Sequence, residues 1–160
     1  MSQKETFFIE GHPNITNLTQ TDADALIAMP KVRVDQDVRI VNLPQSMVVP
    51  LLSEDGRENF FLDIHSGRLR LTKVTYQTRG KQVVVLVRLD VDGPPHRNPD
   101  GEEHPCPHLH LFREGFGDKW AIPVPQDKFT NLESHWQTLQ DFMDYCSIVE
   151  PPVFERGMFA

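Results

Sequence analysis

The chain has 160 residues, 39% of them hydrophobic and 24% charged, and a net charge of −7. That is the size of one domain, taken here as 1–160, with room for a real core, and no run is long enough for a membrane helix. Net acidity argues against indiscriminate nucleic-acid binding, and two lone cysteines, Cys106 and Cys146, make no disulfide framework. The N-terminal MSQKETFF lacks the basic-then-apolar layout of a signal peptide, so the cytoplasm is the expected compartment.

In chain order, Thr21 and Asp24 predict the start of a short helix with Ala25, Leu26 and Met29 on its apolar side and Pro30 as its stop. Lys31 to Leu43 alternates through Val32, Val34, Val38 and Ile40, a strand with a break near Asp35. Pro50 interrupts the apolar patch Met47–Leu52, which predicts a loop or short strand. Three strands of a meander follow at Asn59–Ile64, Arg68–Arg79 and Lys81–Asp92. Their turns fall at His65-Ser66-Gly67 and Arg79-Gly80-Lys81, where glycine can take positive φ.

In the third of these strands Val83, Val85, Val87, Leu89 and Val91 share one face, leaving Arg88, Asp90 and Asp92 on the other. Gly93-Pro94-Pro95 ends it, and Asn98-Pro99-Asp100-Gly101 is a strong turn signal. His108–Arg113 and Lys119–Val124 predict a hairpin. A final amphipathic helix is marked by Thr130 and Glu133 as a capping box and by Leu132, Trp136, Leu139, Phe142, Met143 and Cys146; Pro151-Pro152 should end regular structure. The expected fold is therefore α+β: a mainly antiparallel sheet of about five or six strands, a C-terminal amphipathic helix and a short N-terminal one.

Chemistry concentrates between His96 and Lys119, which hold four of the seven histidines. His104, Cys106, His108 and His110 alternate, but Pro105 and Pro107 interrupt the ladder, so a shared strand face is assured only for His108 and His110. Two chemistries fit. In one, His108 and His110, with His96 nearby, divide the roles of base and acid, and Lys119 or Arg88 stabilises charge on a phosphate-containing substrate such as RNA. The run Ile64–Leu89, with six basic and no acidic residues, would track that substrate's backbone.

In the other, His108, His110 and Glu114 bind a divalent transition metal such as zinc, completed by His104, Cys106 or His96. The spacing His108-x-His110-x-x-x-Glu114 resembles half of the metal-binding pattern of cupins, although no later histidine segment supplies the second half. A non-catalytic ligand-binding module, or an interaction domain whose acidic flanks meet a basic protein partner, is the remaining class. A purely structural account also competes, because histidines beside Pro/Gly turns often just satisfy loop backbone groups. Dinucleotide and phosphate loops, a nucleophile elbow and CxxC are all absent.

The segments FFLDI (60–64), TYQTR (75–79), VRLDVDGPPHRNPDG (87–101), PHLHLFREGFGDKWA (107–121) and DFMDYC (141–146) resemble a family of small bacterial proteins known only as a domain of unknown function. The resemblance implies a bacterial cytoplasmic protein from mobile or defence-related gene neighbourhoods. It brings no established activity.

Overall fold

The computed structural model describes residues 17–158 and 160. The N-terminal stretch read above for a signal peptide lies outside them. Helix α1 (Gln20–Ala28) opens the fold, followed by β1 (Lys31–Arg33), β2 (Val38–Val41), β3 (Ser46–Ser53), β4 (Asn59–Ser66), β5 (Val74–Gly80) and β6 (Val84–Asp90). Then come β7 (His96–Arg97), β8 (Glu103–His104), β9 (His108–Leu111), β10 (Ala121–Pro123), α2 (His135–Tyr145), β11 (Ile148–Glu150) and β12 (Val153–Arg156).

The main sheet has eight strands in the order β10-β9-β6-β5-β4-β3-β1-β11, not the five or six expected, and its one parallel pair is β1 with β11. The extra strands come from short segments that carry no alternation of their own. β11 is a three-residue strand beyond α2, held by pairing with Lys31 and Val32 far earlier in the chain. β12 follows Pro151-Pro152 rather than being excluded by them, and pairs parallel with β2 in a separate two-stranded sheet.

β3 is a full eight-residue strand despite Pro50. Its pairing with β1 reaches only from Leu51 to Ser53, so Pro50 sits where that side of β3 is an edge and a missing N–H costs little. Between β5 and β6 the register shifts at Thr78/Arg79. Such a bulge lets Leu86 and Val87 both be buried and turns Val85 toward the face that carries Arg88 and Asp90, where strict alternation puts it on the other. In the same hairpin Lys81 and Gln82, not Gly80, take the positive φ values of 48° and 66°. Gly80 serves packing instead, because a Cβ there would meet Leu86 Cδ1 at 3.0 Å.

Both helices cover one face of the sheet. α1 is capped by Thr19, whose hydroxyl accepts from the Asp22 N–H, two residues earlier than the Thr21 start predicted. α2 is capped by Ser134, not Thr130; the backbone N–H of Thr130 donates instead to Asp141. Leu139, Phe142 and Met143 of α2 and Ala23 and Leu26 of α1 pack on Phe60, Leu62, Tyr76, Leu86 and Leu89. Lys31 ties the two helix ends together: its buried ammonium donates to the carbonyls of Ile27, Met29 and Cys146 at 3.0, 2.9 and 2.8 Å.

The opposite face of the sheet is polar. Cross-strand register places Ser46, His65, Thr75, Asp90 and His108 in one row and Asp63, Gln77, Arg88 and His110 in the next. The loop carrying β7 and β8 folds over the β6–β9 end of these rows, leaving a trough of about 690 Å³ over the rest. No helix among the described residues is long and apolar enough to cross a membrane.

Candidate functional site

β6 and β9 pair so that Asp90 lies opposite His108 and Arg88 opposite His110. Period-two geometry then points all four side chains from the same face. His110 is fully buried and His108 nearly so, while Asp90 stays partly open. Their ligand-capable atoms all lie within 4.8 Å of one another.

Each imidazole is oriented by the backbone. His108 Nδ1 lies 3.2 Å from the Pro105 carbonyl and His110 Nδ1 lies 2.8 Å from the Asp118 carbonyl. A carbonyl only accepts, so each Nδ1 carries a proton, and each Nε2 of a neutral ring keeps its lone pair. Both Nε2 atoms meet Asp90 Oδ2 at 3.2 Å. The other oxygen of Asp90 accepts from the Thr75 hydroxyl at 3.0 Å. Burial works to raise the Asp90 pKa, but His108 and His110, which donate from Nε2 when their rings are protonated, together with the Arg88 charge and the Thr75 hydroxyl, outweigh it and hold the carboxyl well below the usual range. Asp90 is thus a carboxylate.

Arg88 supplies a cation at the centre. Its Nη2 is 3.0 Å from His110 Nε2, its Nη1 donates to Asp118, and its Nε lies 3.4 Å from Asp90 Oδ2. That Nε is buried and makes no hydrogen bond.

The covering loop brings a third ring. His96 stacks edge-on against His110 with centroids 4.6 Å apart, and its Nε2 donates to the Lys119 carbonyl at 2.7 Å, leaving Nδ1 as the unprotonated nitrogen of a neutral ring. The loop is pinned by Asn98, whose side chain donates to the Ala121 carbonyl and accepts from the Ala121 N–H, both at 2.8 Å. The NPDG turn makes this possible: Gly101, at φ 90°, donates to the Asn98 carbonyl and closes the turn that aims Asn98 at β10. A cavity of about 330 Å³ opens beside the cluster, lined by Thr75, Arg88, Asp90, His96, Cys106 and His108 among others.

Of the residues expected from sequence, His96, His108, His110 and Arg88 therefore come together. Lys119 contributes its carbonyl; its side chain is exposed. Cys106 stands at the rim, 3.6 Å from His108 Nδ1, with its thiol pushed up to about 11 by burial and then by the charges of Asp90 and Asp92. With no metal beside it, Cys106 is therefore a protonated thiol near neutral pH. His104 lies on β8 opposite His96, with Nε2 3.6 Å from Glu102. Glu114 lies in the exposed hairpin beyond β9, where its backbone N–H donates to Gln20. Neither His104 nor Glu114 joins the group of potential ligand atoms.

Asp90, Thr75, Asp118 and Asn98 are the site residues the sequence did not single out. For Asp90 there was a signal, since it alternates with Arg88 on the polar side of β6. In the basic run 64–89, Arg79 pairs with Asp63, Lys81 with Glu58, Arg70 with Asp92 and Arg88 with Asp118.

No curated protein and no solved structure matches the chain. Residues 18–148 match the family described as a family of unknown function (DUF6978), and with most of its length covered the chain belongs to that family.

Proposed function

We propose that the chain is a metal-dependent hydrolase of a phosphate-containing substrate in which Asp90, His108 and His110 hold a divalent transition metal. The convergence of two Nε2 atoms on one carboxylate oxygen carries this reading. With each Nδ1–H held by a backbone carbonyl, two lone pairs and an anionic oxygen face the same point, an arrangement a cation satisfies and neutral rings alone do not. Carbonyl-anchored imidazoles with a carboxylate suit zinc or iron(II) and leave coordination positions for water and substrate. A metal-bound water is a nucleophile near neutral pH. Arg88 and the adjoining cavity support a phosphate-bearing substrate.

The protein purified without chelator is expected to carry about one equivalent of transition metal, and a His108→Ala/His110→Ala variant none. Protein that neither retains metal nor takes up zinc, cobalt(II) or iron(II) removes the reading.

One observation favours a metal-free alternative: Arg88 already places a cation 3.0 Å from His110 Nε2. In that reading His108 and His110 are the acid–base pair, Arg88 stabilises charge, and phosphodiester cleavage survives chelator with a bell-shaped pH profile.

A further inference from the structure

Arg88 has one edge committed and one edge in conflict with a metal. Nη1 donates to Asp118, outside the ligand group. Nη2 and Nε face inward, onto the two atoms a metal would claim: Nη2 lies 3.0 Å from His110 Nε2, and Nε lies 3.4 Å from Asp90 Oδ2. Metal and guanidinium cannot both hold the single lone pair of His110 Nε2. Nε is in addition a buried donor without a hydrogen bond, so this edge is under-used even without a metal. A buried unmade hydrogen bond of a charged group is costly and marks a place where a partner is missing.

Resting on the metal reading above, we infer that metal binding frees the Nε/Nη2 edge of Arg88 to receive an oxyanion group of the substrate next to the ion, so that metal binds first and the anion second. The planar fork of a guanidinium matches two oxygens of a carboxylate or phosphate. Asp118 keeps Arg88 in place through Nη1 while the inner edge changes partner. Access fits this order, because Arg88 and Asp90 line both the trough of about 690 Å³ and the smaller cavity of about 330 Å³. Before the ion binds, Asp90 lies beside the inner edge and repels an incoming anion. Once bound, the ion offsets that charge.

The test titrates inorganic phosphate, and separately acetate, into cobalt(II)-loaded and metal-free protein, following heat and the cobalt absorption bands. The cobalt-loaded wild type is expected to bind phosphate saturably with a change in the bands, and the metal-free protein not to bind it. In Arg88→Gln, cobalt uptake should persist and show that the site is folded, while phosphate affinity falls roughly 10- to 100-fold, the worth of charge-assisted hydrogen bonds. Arg88→Lys keeps the charge but not the fork and should fall between.

Preference for phosphate over acetate assigns a phosphate group to the substrate; the reverse assigns a carboxylate. Equal phosphate affinity in wild type and Arg88→Gln, or equal affinity with and without cobalt, overturns the inference and leaves the metal site standing. Failure of wild type to take up cobalt removes both.

Discussion

Removing the Asn98 side chain should release the loop that closes the site, at a cost the structure allows one to work out. Asn98 is buried and makes two hydrogen bonds at 2.8 Å, one to the N–H and one from the side-chain amide to the carbonyl of Ala121, itself buried. Asn98→Ala strands both backbone groups on the outer edge of β10. A buried polar group left unpaired costs about 1–3 kcal/mol. Partial entry of water brings the pair toward the lower end, so about 3 kcal/mol in total is expected. With a urea dependence of about 2 kcal/mol per molar, the unfolding midpoint should fall by about 1.5 M.

Asn98→Asp separates geometry from bulk in the same assay. It keeps an acceptor for the Ala121 N–H but turns an oxygen toward the Ala121 carbonyl, so it should be no better than alanine. A midpoint lowered by less than about 0.3 M in Asn98→Ala, or an aspartate variant as stable as wild type, would refute the claim that this clamp holds the loop.

Three further outcomes follow from the same geometry. Lys31→Met leaves the carbonyls of Ile27, Met29 and Cys146 without their shared donor and should cost about 2–4 kcal/mol in a urea melt. Burial brings the Lys31 ammonium down to about 8 from 10.5, opposed weakly by Cys146, so the folded state sheds this proton first. The wild type should therefore gain stability as pH rises from about 8 to 10.5, relative to Lys31→Met; equal slopes for the two would contradict it. Gly80→Ala drives a Cβ to 3.0 Å from Leu86 Cδ1 and should lose about 1–3 kcal/mol, whereas Gly101→Ala, with open space but φ at 90°, should lose about 1 kcal/mol from backbone strain alone. Zinc at about a hundred times its dissociation constant should add about 2.7 kcal/mol to wild-type stability, and nothing to His110→Ala.

Much of the meander is legible in the sequence because β4 and β5 alternate, as does β6 apart from its bulge, although the turn expected at His65-Ser66-Gly67 is a longer loop and β5 starts at Val74, not Arg68. The same logic finds His108-x-His110, two rings on one face of one strand. It does not find Asp90 as their partner, because that contact depends on how β6 and β9 register across an intervening loop. Nor does it show that His104 and Glu114 stand apart from the group while His96 folds back onto His110. Along the chain His104 and Glu114 are the nearer to the pair and His96 the farther, and the path of the loop reverses that order.

The α+β character, the polar side of β6 and the shared face of His108 and His110 are written in the sequence, since these follow from period-two and period-3.6 patterning within single elements. Tertiary structure alone decided the eight-stranded order, the bulge that turns Val85 outward and the parallel strands β11 and β12. It also decided the meeting of Asp90, His108, His110 and Arg88. The physical reason is the same throughout: a cross-strand neighbour is chosen by register and burial summed over the whole sheet, and no local run of residues encodes that sum.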